Sequence, residues 1–166
     1  TFTSNVRQAL STAEPGFSFN FFDKENETLR NACTEVTSED DSDVCNLGSL
    51  NFARIDGINQ LKNIVGLATK FLICGTLRAQ LPYDKVYKVR AKNRRLGLGL
   101  MGLHEWLIQR GSRYETTEEM HRWLKVYEAE SDKVSDSFAD HLGISRPVAK
   151  RAVAPTGTIG IIAGTS

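Results

Sequence analysis

Met120, Trp123, Leu124, Tyr127, Val134 and Phe138 fall on one helical face, and this stripe is the strongest constraint on what the chain can fold into. A helix with so wide an apolar face must bury it against other elements. Thr116 and Glu119 supply a capping-box pair at its start, and Leu142-Gly143 supplies a stop. A second helical pattern starts at Asp56, a potential cap, and runs through Ile58, Leu61, Val65, Ala68 and Leu72. It is expected to continue to about Leu81, just ahead of Pro82.

Strand patterns lie between these helices. Residues 17–22 alternate phenylalanine with small polar side chains, residues 32–36 read as extended, and residues 47–55 and 151–154 read as strands. A short helix is expected over 6–10, before the Glu14-Pro15-Gly16 turn, and polar loops over 23–28 and 38–43. Residues 85–95 carry six basic side chains on a short helix whose face is solvated or meets the acidic loop at 38–43 in a subunit contact. The glycine-rich stretch 96–102 leads into a helix through Trp106 and Ile108 to Gly111, and residues 155–158 form a turn before an element at 159–163. Strands mixed with helices throughout predict an α/β fold.

The chain has 166 residues, enough to bury a core without disulfide or metal staples. With 21 basic against 20 acidic side chains, it lacks the positive surplus of a dedicated nucleic-acid binder. No apolar run is long enough to span a membrane, and the first residues do not read as a signal peptide. Three irregularly spaced cysteines argue against a secreted disulfide framework, so a cytoplasmic, reducing setting is expected. The chain opens on Thr1 rather than Met and closes on Gly164-Thr-Ser166, so it is expected to be a piece of something longer.

Asn31-Ala-Cys33-Thr-Glu35 is the most informative stretch. In an extended backbone Asn31, Cys33 and Glu35 share one face, placing an amide, a thiol and a carboxylate side by side. A carboxylate beside a thiol disfavours the thiolate, so the set suits a thiol that keeps its hydrogen, next to an acid/base. A buried cysteine between surface polar residues is the commoner arrangement. Cys45 follows the acidic loop and could approach Cys33, whereas Cys74 is expected to pack in the core. No cysteine or histidine spacing suggests a zinc site. Gly97-x-Gly-x-x-Gly102 matches the dinucleotide fingerprint in letters, but the polar Ala91-Lys-Asn-Arg-Arg95 rather than a buried strand precedes it, so close helix packing is expected instead. His104, His121 and His141 have no evident partner and read as structural. Pro155, Thr156, Gly157, Thr158, Ile159 and Gly160 could offer backbone N–H groups to an anion, or form an ordinary turn.

Five segments occur in a meaningful order: Glu14-Pro-Gly16 before Phe17, Asn-Ala-Cys-Thr-Glu at 31–35, Cys-Asn-Leu-Gly-Ser at 45–49, Arg-Leu-Gly-Leu-Gly at 95–99 with Met-Gly-Leu at 101–103, and Ala-Pro-Thr-Gly-Thr-Ile at 154–159. In this the chain resembles the catalytic (large) subunit of ribonucleotide reductases over nearly its whole length. The resemblance implies a helix-rich, partial segment of a ten-stranded α/β barrel, with residues 1–166 as a single segment of it. Residues 31–35 would be its finger-loop motif and 154–160 its phosphate-binding turn.

It implies, further, that Cys33 carries the thiyl radical that takes the ribose 3′ hydrogen, that Glu35 is the acid/base at the 3′ hydroxyl, and that Asn31 holds the ribose hydroxyls. Cys45 would be one of two cysteines that reduce the 2′ position. Pro155 to Gly160 would bind the phosphates of a ribonucleoside di- or triphosphate, although the family usually has Ser where this chain has Gly160. The wording at 154–159 and the short interval from Cys33 to Cys45 are most similar to adenosylcobalamin-dependent (class II) enzymes; the 31–35 motif is also similar to class I chains, in which a second subunit makes the radical. The implied partners are the remainder of the catalytic subunit, fused or separate, and a thioredoxin-like reductant. The family's second reducing cysteine lies upstream of the Glu-Pro-Gly segment, so the isolated chain is expected to be inactive. Two other readings stay open: a non-catalytic or complementing module of a split reductase, and an unrelated phosphate-binding domain.

Overall fold

The computed structural model describes residues 1–21 and 26–165. They form two compact units, residues 1–40 and residues 41–166.

In the N-terminal unit, α1 (Phe2–Thr12) is longer than the five residues expected and buries no side chain; Ala13 closes it in the left-handed conformation. Residues 17–21 join no ladder, contrary to the strand expected there, and Phe22 lies outside the described residues, as do 23–25 of the expected loop. Their alternation serves a different end. Phe17, Phe19 and Phe21 stack ring to ring at 6.3 and 6.1 Å, and Phe2 meets Phe17 edge-on at 6.0 Å. A short antiparallel hairpin follows, β1 (Leu29–Arg30) with β2 (Thr37–Ser38), pairing Leu29 with Ser38 and Arg30 with Thr37.

The C-terminal unit is built on parallel strands. β3 (Asn46–Asn51) pairs with β4 (Leu96–Met101), from Asn46 opposite Leu96 to Asn51 opposite Met101. Residues 149–152 add a third parallel segment on the other side of β4: Leu96 and Leu98 donate to the Ala149 and Lys150 carbonyls at 2.9 and 3.2 Å, and Ala152 donates to Leu98 at 3.2 Å. Parallel neighbours need long crossovers. The first is α2 (Ile58–Arg78) with α3 (Asp84–Asn93); the second is α4 (Leu103–Ile108) with α5 (Glu118–His141). The chain ends on α6 (Gly157–Ala163).

Strand alternation gives the sheet two unlike faces. Leu50, Leu96, Leu98 and Leu100 join Leu61, Val65 and Leu72 of α2 and Trp123 and Tyr127 of α5 in one buried core. Trp106 of α4 meets Trp123 edge-on at 5.2 Å. The opposite face carries Leu47, Ser49, Gly97 and Gly99, with Ala152 beside them. The glycine-rich stretch is therefore a buried strand rather than a lead-in to helix packing. A Cβ on Gly99 would stand 2.5 Å from the Ala152 carbonyl oxygen, and one on Gly97 would stand 2.3 Å from Leu47 Cδ2. These two glycines let the neighbouring segments crowd in.

Several expected boundaries move. The cap of α5 is Thr117, whose hydroxyl accepts from the Met120 N–H, one residue beyond the expected Thr116. Gly57, not Asp56, starts α2; Gln60 instead accepts the Asp56 N–H through its side chain, at 2.6 Å. The strand expected over 47–55 gives way to a 3₁₀ turn at Phe52–Arg54. Cys74 is exposed on α2 rather than packed in the core, because the buried stripe runs through Val65, Thr69, Leu72, Ile73 and Thr76. The basic stretch meets the acidic loop within the chain. Lys85 pairs with Asp41, and Arg95 pairs with Asp43 at 2.9 Å with both side chains buried.

Candidate active site

Residues 31–36 are not extended, and the shared face expected from strand alternation does not exist. They form the loop of the β1–β2 hairpin. Thr34 donates its N–H to the Asn31 carbonyl at 3.1 Å, closing a turn, and itself adopts a left-handed φ of 65°. The Asn31 N–H reaches the Val36 carbonyl at 3.3 Å, and the Asn31 side-chain oxygen accepts the Val36 N–H at 3.2 Å. Asn31 thus ties the two ends of the loop together, leaving Cys33 exposed near its tip. Glu35 is half-buried, and its Oε2 is buried with no hydrogen-bond partner among the described residues. A carboxylate oxygen removed from water and left without a donor is costly unless a ligand supplies one. Asn31 and Thr34 also border a hollow of about 590 Å³ in this unit, together with Glu14, Phe17 and Arg30. Arg30 is held there by Ser18 and Asn20, at 2.9 and 2.7 Å.

In the C-terminal unit, Cys45 immediately precedes β3 and is half-buried. Its Sγ lies on the glycine face, 3.0 Å from where a Gly97 Cβ would stand. The segment leading to it is anchored by Asp43, which accepts from Arg95 Nε at 2.9 Å and from Asn93 at 3.0 Å.

Residues 155–160 follow the carboxyl end of the third parallel segment, at the opposite end of the sheet from Cys45. Thr156 has a left-handed φ of 52° and starts α6, whose first-turn N–H groups, at Gly157, Thr158 and Ile159, have no intrahelical acceptor. Pro155, Gly157, Thr158 and Ile159 are exposed; Gly160 is buried. A Cβ on Gly160 would stand 2.9 Å from the Thr165 carbonyl oxygen, so the helix has room for glycine there and not for serine without a backbone shift.

Beside this turn lies a cleft of about 530 Å³, bounded by Leu100, Met101, His104, Tyr114, Val153 and Thr156, with Pro155 at its edge. It opens at the carboxyl ends of β4 and the third segment, where parallel α/β sheets place their ligands. His104, expected to be structural, is exposed here, with its ring edge-on to Tyr114 at 5.6 Å. His121 and His141 are exposed on α5, outside the cleft. A sequence reader who placed 96–101 as a parallel strand would have found His104, since it follows directly on that strand's carboxyl end.

A parallel α/β layer with a ligand-sized cleft at its strand ends, and a separate exposed thiol on a hydrogen-bonded loop, define an α/β enzyme-type scaffold. Its family can be stated: residues 18–131 match the model of the ribonucleotide reductase barrel domain, and the chain belongs to that family. It is 35% identical over 172 residues to a putative adenosylcobalamin-dependent ribonucleoside-triphosphate reductase of Mycobacterium phage D29, covering 95% of this chain and 24% of that protein. It is 30% identical to a vitamin B12-dependent ribonucleoside-diphosphate reductase of Thermoplasma acidophilum, covering 97% of this chain and 25% of that protein. The crystal structure of a B12-dependent (class II) ribonucleotide reductase superposes with a TM-score of 0.69 at 23% identity, over 85% of this chain and 22% of the other. The fold is thus a partial segment of that barrel, and the chain spans about a quarter of the length of the curated relatives it matches.

The described residues do not form a seat for a cobalamin. A corrin macrocycle with its nucleotide arm is larger than the 530 Å³ cleft.

Proposed function

We propose that residues 1–166 are one segment of the catalytic barrel of an enzyme that reduces ribonucleoside di- or triphosphates to deoxyribonucleotides by thiyl-radical chemistry. The observation that carries this is the 31–36 loop. An exposed thiol stands two residues from a buried carboxylate oxygen that no group among the described residues satisfies. In this reading Cys33 takes the ribose 3′ hydrogen as a thiyl radical and later returns it. Glu35 accepts a hydrogen bond, and then a proton, from the 3′ hydroxyl, which would satisfy its Oε2. Asn31, whose side-chain oxygen is already engaged with Val36, has its amide N–H groups left for a ribose hydroxyl.

Cys45 is proposed as one of the two thiols that donate electrons to the 2′ position and end as a disulfide, re-reduced by a thioredoxin-like partner. Pro155 to Gly160 are proposed as the phosphate-binding turn, with the first-turn N–H groups of α6 as donors. Adenosylcobalamin is proposed as the cofactor of the whole enzyme, in line with the names of the relatives; no residue described here is assigned to hold it. Turnover belongs to the whole catalytic chain in this proposal, and the isolated 166 residues are expected to give none. A cytoplasmic setting is part of the proposal; no helix among the described residues is long and apolar enough to cross a membrane.

The test is Cys33→Ser in the complete enzyme. A serine O–H is too strong a bond to form the radical readily, so nucleotide reduction should disappear while nucleotide binding persists. Substantial deoxyribonucleotide formation by that variant would overturn the assignment.

A further inference from the structure

Phe17, Phe19 and Phe21 stack on one side of their segment at every second residue. That is the side-chain period of an extended chain, and it turns Ser18 and Asn20 to the other side. The polar side is answered by a single nitrogen. Arg30 Nη1 donates to Ser18 Oγ at 2.9 Å and to Asn20 Oδ1 at 2.7 Å, and reaches the Thr28 carbonyl oxygen at 3.4 Å.

Arg30 ends β1 and directly precedes Asn31, the residue that ties together the ends of the 31–36 loop. The Asn31 bonds fix the loop's own shape, but they do not fix where the loop stands in the unit. Links from both strands of the hairpin do that. Arg30 of β1 holds residues 18–20, and Thr37, its partner across the ladder on β2, donates its hydroxyl to Glu27 at 2.7 Å. The described residues of this unit bury no large apolar side chain, so polar ties rather than packing carry the loop's placement. Cys33 lies three residues beyond Arg30, and a shift at the base of so short a loop passes to the thiol.

We propose that Arg30 is a positioning residue for Cys33: by clasping Ser18 and Asn20 it sets where the sulfur stands against the ribose 3′ hydrogen. This rests on the reading of Cys33 as the hydrogen-abstracting thiol. In that step the C3′–H bond breaks and an S–H bond forms, an exchange that is steep in distance. A displacement of about 1 Å at a reacting atom can cost roughly a hundredfold in rate. Arginine suits the task because its head stays charged at every working pH and holds its N–H groups in a fixed fork.

The experiment is steady-state kinetics of the complete enzyme with ordinary and 3′-deuterated substrate, with circular dichroism and thermal melts of each variant. Arg30→Met keeps the side-chain length and removes the donors. It should lower kcat about tenfold with KM unchanged, and raise the 3′ deuterium isotope effect as hydrogen abstraction slows relative to other steps. Arg30→Lys, which retains a charged donor, should recover part of the loss. The double variant Ser18→Ala with Asn20→Ala removes the acceptors instead. It should reproduce the Arg30→Met kinetics, add little when combined with it, and carry the same test should Arg30→Met fail to fold. Unchanged kcat and isotope effect in folded Arg30→Met, or in the double variant, with Cys33→Ser inactive, would overturn this inference and leave the reading of Cys33 standing. A raised KM with an unchanged isotope effect would also overturn it, since Arg30 would then serve substrate binding. Substantial turnover by Cys33→Ser would overturn both.

Discussion

In residues 1–40 the side chains assigned to chemistry, Asn31, Cys33 and Glu35, stand on a hairpin loop held by turn hydrogen bonds. The described residues of that unit bury Ser38 and no large apolar side chain. In residues 41–166 the arrangement is reversed. Fourteen buried hydrophobic residues form one core, and the cleft residues 104 and 114 and the 155–160 turn sit at the rim of a sheet that this core supports. Chemistry in the first unit depends on local backbone geometry, and in the second on packing. Substitutions in the second unit should therefore cost stability, and those in the first should cost activity while leaving stability nearly unchanged.

The sharpest probe of this contrast is Asp43→Ala. Asp43 and Arg95 are 6% and 4% exposed, so the substitution removes a buried carboxylate to which both Arg95 and Asn93 donate and should cost about 3–5 kcal/mol in urea denaturation. The exposed Asp41–Lys85 pair is the internal control, worth at most about 1 kcal/mol. Gly99→Val comes next, because its side chain must displace backbone at Ala152; a loss of about 1–3 kcal/mol is expected by the same measurement.

Tyr127→Phe should cost about 1 kcal/mol, since the phenol donates to the Leu98 carbonyl inside the core. It also carries a pH signature. Burial pushes the Tyr127 phenol up to about 12, with Arg151 pulling weakly the other way. The unfolded phenol ionises near 10, so this contribution is whole below pH 10 and is lost as pH rises from about 10 to about 12. Tyr127→Phe should flatten that alkaline fall in thermal melts. The smallest expected effect is on the other side of the comparison. Cys33→Ser should change stability by less than about 0.5 kcal/mol, its thiol being exposed. A larger loss would show that the loop depends on this side chain for its shape.

The helices were legible because their periodicity is a direct record of burial. Met120, Trp123 and Tyr127 announce α5, and Leu61, Val65 and Leu72 announce α2. The central strand was hidden because leucine alternating with glycine lacks the β-branched and aromatic residues that mark strands. Its glycines answer to a crowding by Leu47 and Ala152 that only the assembled sheet reveals. The 31–36 turn was hidden for another reason: a threonine in the left-handed region has no sequence signature. Cys74 was readable in principle, since Thr69 and Thr76 continue the buried stripe of α2 and leave position 74 facing outward. The residues of the proposed site were picked out as letters; those at 31–35 fall in one loop and those at 155–160 in one turn through short sequence distance, whereas Cys45 stands apart immediately before β3. The cleft beside the turn was not, because it joins residues 100–104, 114 and 153–156 through strand pairing.

The Leu98 carbonyl receives two donors, the Ala152 N–H across the ladder and the Tyr127 hydroxyl from α5. A carbonyl oxygen has two lone pairs, and both are committed. Helix α5 cannot lift from the sheet without disturbing the acceptor that also holds residues 149–152 against β4. Helix and third segment should then open as one cooperative unit, with amide protons at Ala152 and in the middle turns of α5 exchanging at a common slow rate. The segment that delivers the 155–160 turn is in this way timed by a tyrosine far along the sequence, and breathing at the strand ends is throttled from within the core.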